Sequence, residues 1–61
     1  MPELTEKELD AINQVLKEEE LHVKRFKMLA EQAQDDAVKS QLEHIASKHQ
    51  GHFNSIYKLL G

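Results

Sequence analysis

The segment Gln34-Asp35-Asp36 decides the fold of this 61-residue chain, because it is the one plausible turn between two long helical patterns. It is polar throughout, and either aspartate can cap the start of a following helix and favour its dipole. No residue between Thr5 and Gln34 breaks a helix. Because so short a turn makes its flanking helices antiparallel neighbours, the sequence predicts an all-α, two-helix hairpin forming one unit.

The helix before the turn is predicted to run from about residue 6 to about residue 33. Thr5-Glu6-Lys7-Glu8 is typical of a capping box, in which the Thr5 hydroxyl accepts from the Glu8 amide and the Glu8 carboxylate reaches back. Apolar residues then recur at steps of three and four, with one gap at position 19. They are Leu9, Ile12, Leu16, Val23, Phe26, Ala30 and Ala33.

The turn is predicted at residues 34–36, and the second helix from about residue 37 to about residue 60. Its apolar arc covers roughly 160° of the helix surface, more than one partner helix would cover. Two hairpins packed as a twofold-symmetric four-helix bundle would cover it, which predicts a homodimer, with a higher homo-oligomer as the alternative. The arc comprises Val38, Leu42, Ile45, Ala46, His49, His52, Phe53, Ile56, Leu59 and Leu60.

Composition narrows the classes of function. So short a chain rarely builds a sufficient core alone, and with no cysteine it has neither disulfides nor thiolate metal sites. The net charge of −3, with both signs interspersed, argues against a nucleic-acid partner. No apolar run approaches the roughly 20 residues of a membrane span, and Met1–Asp10 lacks the apolar core of a signal peptide. We therefore expect an intracellular protein with no membrane partner.

Ionisable residues interrupt both apolar patterns at one level of the hairpin. On a helical wheel Glu19 falls near the centre of the first stripe, His22 on one flank and Glu20 at the opposite edge. In the second helix His49 lies near the centre of the arc, with His52 close beside it. Folding the hairpin at its turn places Glu19 level with His52, and His22 level with His49.

Glu19-x-x-His22 and His49-x-x-His52 each have the i, i+3 spacing that puts both members on one helical face. Helix bundles build metal sites from inward-facing carboxylates and imidazoles spaced in this way. We therefore predict a metal site formed by these four residues, with Glu20 as the alternative to Glu19. The site lies near the midpoint of both helices, so an antiparallel dimer would bring two copies together around two ions or one ion on the axis.

Two other interpretations account for the same residues. A metal-free network of Glu–His hydrogen bonds would also satisfy them, whereas burying them unpaired would cost several kcal/mol. Alternatively, the histidines are simply exposed to solvent. A third function class, a protein-binding adaptor, is supported only by Leu21 and Met28, two apolar residues that lie away from the main stripe.

These features together resemble a ferritin-like hairpin, and more narrowly the spore coat F family, over nearly the whole chain. The resemblance implies a half-bundle that pairs into a ferritin-like four-helix bundle, with Glu19 or Glu20 and His52 as ligands and spore coat components as partners. It also implies a cytoplasmic or spore-associated location. The matching stretches are Leu4-Thr5-Glu6-Lys7-Glu8-Leu9, Glu19/Glu20 with His22, Asp35-Asp36, Leu42-x-x-Ile45-Ala46, His49-x-x-His52-Phe53 and Ile56-Tyr57-Lys58-Leu59-Leu60.

The chain departs from the ferritin pattern at one position. Ferritin-type di-iron halves carry Glu-x-x-His on the second helix, and here His49 stands where the bridging carboxylate would be. Three imidazoles and one carboxylate suit Fe or Zn, with Ni or Cu as alternatives. We expect a metal-binding protein rather than an enzyme; a catalytic version would carry out metal-dependent redox chemistry of iron or peroxide.

Overall fold

The structure, a computed structural model, describes residues 3–61 and consists of two helices joined by a short turn. Helix α1 spans Glu6–Gln32 and helix α2 spans Asp36–Tyr57, and a single 3-10 turn over Lys58–Leu60 follows α2. Hydrogen bonds between residues about thirty positions apart join the two helices side by side. The all-α hairpin predicted from the sequence is therefore confirmed for the described residues, whereas its pairing into a four-helix bundle stays a prediction.

Both helices begin where a side chain caps the first turn. The Glu8 amide donates to the Thr5 hydroxyl at 3.1 Å, and the Thr5 amide donates to the Glu8 carboxylate at 2.9 Å, so the capping box forms as predicted. The Val38 amide donates to the Asp35 carboxylate at 2.9 Å. Because Asp35 is the cap, α2 begins one residue before its predicted start.

The second helix ends earlier than the sequence pattern indicates. Its α-helical geometry stops at Tyr57, and the backbone tightens into the 3-10 turn before Gly61. At the other end of the hairpin, α1 stops at Gln32 because Ala33 adopts an extended conformation, with φ −73° and ψ 133°. Neither difference moves the residues at the middle of the helices, where the ionisable groups lie.

The core between the helices is thin. The buried apolar residues of the described chain are Leu16, Val23, Ala30 and Ala46, and no side chain in the described range is fully buried. The Cα atoms span 47 × 16 × 10 Å, which is one layer of two helices. Most folded domains enclose their core between two layers, so this hairpin leaves much of its apolar surface exposed. Neither described helix holds an apolar stretch suited to crossing a membrane.

Gly51 gives a direct test of helix stability in α2. Glycine inside a helix costs up to about 1 kcal/mol relative to alanine, and a Cβ added at Gly51 would meet no atom within 4 Å. We expect Gly51→Ala to raise the free energy of unfolding by up to about 1 kcal/mol in urea denaturation. A loss of stability would mean that another chain packs against this position.

Candidate metal centre

One carboxylate joins both imidazoles of the second helix. The Glu19 Oε1 atom lies 2.9 Å from Nδ1 of His49, and Oε2 lies 3.0 Å from Nδ1 of His52. An ionised carboxylate only accepts hydrogen bonds, so each Nδ1–H donates to its own oxygen. A neutral imidazole that donates through Nδ1 keeps its lone pair on Nε2, so this pairing also sets the tautomer of both rings.

Helix geometry explains why these three side chains meet. Glu19 is one turn from Leu16 and Val23, the buried residues that hold α1 against α2, and therefore points into the same seam. His49 and His52 are three residues apart, which places both rings on one side of α2. The carboxylate fills the only gap in the apolar stripe of α1, which explains why the sequence pattern skips position 19.

Aromatic rings surround His49. Its ring stacks against Phe26 with centroids 5.6 Å apart and planes 9° from parallel. His22 stacks on it as well, at 4.8 Å and 28°, while His52 meets it edge-on at 5.8 Å and 88°. The His49 ring is thus fixed in orientation, whereas the side chain of His52 is 63% exposed and open to solvent.

Two opposing effects act on the carboxyl group of Glu19, a residue that is 9% exposed. Burial alone raises its pKa, because desolvation disfavours the charged form. The hydrogen bond and charge of His49, together with the charge and hydrogen bond of His52, outweigh burial and hold the pKa below its ordinary value. Glu19 is therefore an ionised carboxylate at neutral pH, as a metal ligand must be.

This pKa shift predicts acid-dependent stability. Because the pKa of Glu19 is lower in the folded chain, the unfolded chain binds its proton more readily, and stability rises with pH in that window. The contribution is complete above the ordinary value of 4.5 and is lost as pH falls through the lowered value. In urea denaturation we expect the wild type to lose the stability contributed by Glu19 as the pH falls below 4.5, the ordinary pKa of a glutamate. Glu19→Gln should lack that contribution at every pH.

The measured quantity is the difference in unfolding free energy between the wild type and Glu19→Gln at each pH. The pKa of Glu8 is also lowered, by backbone and side-chain hydrogen bonds with Thr5, but Glu8 titrates in both proteins and cancels. Parallel stability curves across the acid range would refute a role for the Glu19 carboxylate in the folded state.

The same geometry suits a metal ion. Glu19, His49 and His52 each offer a ligand atom, and these atoms all lie within 4.8 Å of one another. Ligands at 2.0–2.1 Å around a tetrahedral ion are roughly 3.3 Å apart. The two Glu19–imidazole contacts, at 2.9 and 3.0 Å, are already close to that separation, whereas the most widely spaced ligand atoms, up to 4.8 Å apart, would have to approach each other. The ion would replace the two Nδ1 protons, and each neutral ring would carry its proton on Nε2 instead.

The other two predicted ligands lie beside this group rather than in it. His22 reaches the level of His49 but meets it face to face, through stacking. Glu20 is exposed, and its carboxylate pairs with the Lys24 ammonium at 3.3 Å. The structure therefore brings together Glu19, His49 and His52 and places Glu20 on the solvated side of α1.

Sequence reasoning did not reveal two features of the site. It brought Glu19, His22, His49 and His52 to one level, but it did not show that the two Glu19 oxygens bond His49 and His52 separately. It also treated Phe26 as a core residue without its stacking on His49. The sequence does indicate that Phe26 lies near the site, because Phe26 follows Glu19 by seven residues and therefore shares its helical face.

Comparison with models of protein families, with curated proteins and with solved structures finds no match for this chain.

Proposed function

We propose that this chain is a small metal-binding protein in which Glu19, His49 and His52 hold a divalent cation. The observation that carries the proposal is that three potential ligands from two helices converge within 4.8 Å. The expected ion is iron or zinc, with nickel or copper as alternatives, because imidazole and carboxylate ligands accept all four. The ion is further proposed to lie in the core of a dimeric, ferritin-like four-helix bundle.

Surface composition supports the dimer. Large apolar side chains remain exposed on the hairpin, including Val38 and Leu59, each about half exposed. An isolated chain of this size seldom folds stably with so little buried. The likeness to the spore coat F family is part of the same proposal, and it suggests spore coat components as further partners in an intracellular, cytoplasmic or spore-associated setting.

Catalysis is not part of the proposal. An enzyme would need an open coordination position at the ion and a path for substrate. If the bound ion proves to be iron, redox chemistry of iron or peroxide is the reaction to test.

A specific observation also favours a second candidate, a metal-free structural or assembly protein. Both imidazoles already have a hydrogen-bond partner in Glu19, and no buried side-chain polar atom of the described residues lacks one. The cluster is therefore satisfied without an ion. In that case Glu19 and the two imidazoles would serve to fix the register of the helices.

Elemental analysis of untagged protein, with light scattering on the same sample, separates the two candidates. The first predicts about one or two ions per dimer, and the element found identifies the metal. The second predicts a metal-free dimer that also takes up no Fe²⁺, Zn²⁺ or Ni²⁺ when they are supplied. A monodisperse monomer would overturn the proposed bundle in either case.

A further inference from the structure

The cluster of Glu19, His49 and His52 opens onto one face of the hairpin through the exposed ring of His52. Along both helices, apolar residues lie above and below the cluster on that face. Residues seven apart share a helical face, so His22 is flanked by Val15 and Leu29 on α1, and His52 by Ile45 and Leu59 on α2. We call these six residues the cluster face. Of its four apolar members, Ile45 is partly buried and Val15, Leu29 and Leu59 are exposed.

The opposite face of the hairpin is charged. A groove there is lined by four charged side chains, Lys27, Glu31, Lys39 and Glu43, together with smaller residues. The hairpin is thus a single layer with one solvated side and one apolar side. Of these two faces, the cluster face has the composition of a surface that a second layer would cover.

The amount of exposed surface indicates what covers it. The chain exposes 5028 Å², whereas a folded monomer of 7.1 kDa is expected to expose about 4,100 Å². The excess is roughly 900 Å², close to the roughly 800 Å² that one partner contributes to a standard interface. A second copy offers the same apolar face and the same excess, so a symmetric dimer accounts for the surface of both chains.

Symmetry then brings the two clusters together. Glu19 is the central residue of α1, which runs Glu6–Gln32. When two cluster faces pack through a twofold axis, the axis runs either along the helices or across them. The first leaves every level unchanged, and the second, when it crosses α1 at Glu19, inverts the levels about that residue, so in both arrangements the clusters lie opposite each other.

Coordination by one chain is incomplete. Glu19, His49 and His52 supply three ligands, whereas structural zinc sites have four. His22 cannot supply the fourth within its own chain in this arrangement. The lone pairs of imidazole lie in the ring plane, and the planes of His22 and His49 are stacked only 28° from parallel. Their nitrogens therefore do not converge on one ion, while the ring edge of exposed His22 is free to face outward.

We infer that the cluster face docks on the cluster face of a second copy, where His22 of one chain completes the cation site of the other. This inference rests on the proposed metal site and adds its regulation: cation binding and dimerisation are coupled. Such coupling is reciprocal. The bound ion raises the affinity of one chain for the other by the same factor by which dimerisation raises the affinity for the ion.

Sedimentation equilibrium of the full chain, with EDTA or with saturating Zn²⁺, tests the coupling. We expect Zn²⁺ to lower the dimer dissociation constant by about 10- to 100-fold, with two ions bound per dimer. Zn²⁺ bound at one per chain with an unchanged dissociation constant would overturn the inference and leave the metal site intact. No Zn²⁺ binding at all would overturn both.

His22→Phe isolates the contribution of the second copy. Phenylalanine keeps a ring stacked on His49 but has no nitrogen, so the fold and the three-ligand group are retained. We expect the effect of Zn²⁺ on dimerisation to fall to less than about threefold, below the usual range of such couplings. The matched control, His44→Phe, changes an exposed histidine outside the cluster and should leave the Zn²⁺ effect unchanged. Equal behaviour of the two variants would exclude His22 as a ligand.

A neighbouring pair of variants tests the face itself. Leu29 belongs to the cluster face, while Met28 points about 100° away around the helix. Leu29→Ser should weaken the dimer about tenfold with EDTA or with Zn²⁺ present, because the 38% of Leu29 that is exposed in one chain would be buried between the two copies, once on each side of the interface. Met28→Ser should not. Circular dichroism checks that both remain helical, and a dimer weakened by Met28→Ser alone would place the interface elsewhere.

Discussion

Glu19→Gln is expected to weaken cation binding by at least about 100-fold, because losing a ligand should cost no less than losing an outer-shell partner, which costs about 10–100-fold. The amide keeps the size of the carboxylate but loses its charge and one acceptor oxygen. It can no longer accept from both His49 and His52, so the two imidazoles lose their common anchor. Zn²⁺ affinity measured by calorimetry at constant pH checks this result.

Glu20→Gln provides the matched control. It makes the same chemical change one residue along, at an exposed side chain that pairs with Lys24. Exposed ion pairs of this kind contribute about 0.2–1 kcal/mol, so Zn²⁺ affinity should be nearly unchanged. The two variants also decide between the two candidate carboxylates, and a larger loss of Zn²⁺ affinity with Glu20→Gln would make Glu20 the ligand.

Replacing both His49 and His52 by alanine should abolish metal binding, since it leaves Glu19 as the single ligand of the group. The metal-free protein should also lose stability, because Glu19 is 9% exposed and would keep neither hydrogen-bond partner. An unpartnered buried polar group costs about 1–3 kcal/mol, and more when it is charged. Elemental analysis and urea denaturation of the same preparation measure both effects.

The two candidate functions differ in how those effects combine. For a metal-binding protein, EDTA should destabilise the wild type and have no effect on the double variant. For a metal-free network, EDTA should affect neither protein, while the double variant still loses stability. His44→Ala serves as the control for removing an imidazole, because His44 is exposed and lies outside the group.

Local features of the fold could be predicted from the sequence because each depends on few residues. The capping box at Thr5 and the cap at Asp35 are set by side chains three residues from their partners. The 3.6-residue period of the α-helix fixes which residues share a face. The short turn then sets the level of each residue on one helix against the other, which placed Glu19 beside His52 in advance.

The ends of the helices were less predictable. The apolar pattern continues to Leu60, but the backbone leaves α-helical geometry after Tyr57. The last turn of a helix has carbonyl groups without intrahelical partners, and a tighter 3-10 turn is one common way to satisfy them. A pattern of side chains carries no information on that choice.

The sequence alone determined that two amphipathic helices fold back on each other with ionisable residues at one level. Only the tertiary structure decided which of them meet: Glu19 bonds both imidazoles, His22 stacks on His49, and Glu20 turns to Lys24. The reason is that helical periodicity fixes the direction in which a side chain leaves its helix. Its rotamer and its partner depend on the packing of both helices at once, and no single-helix pattern contains that information.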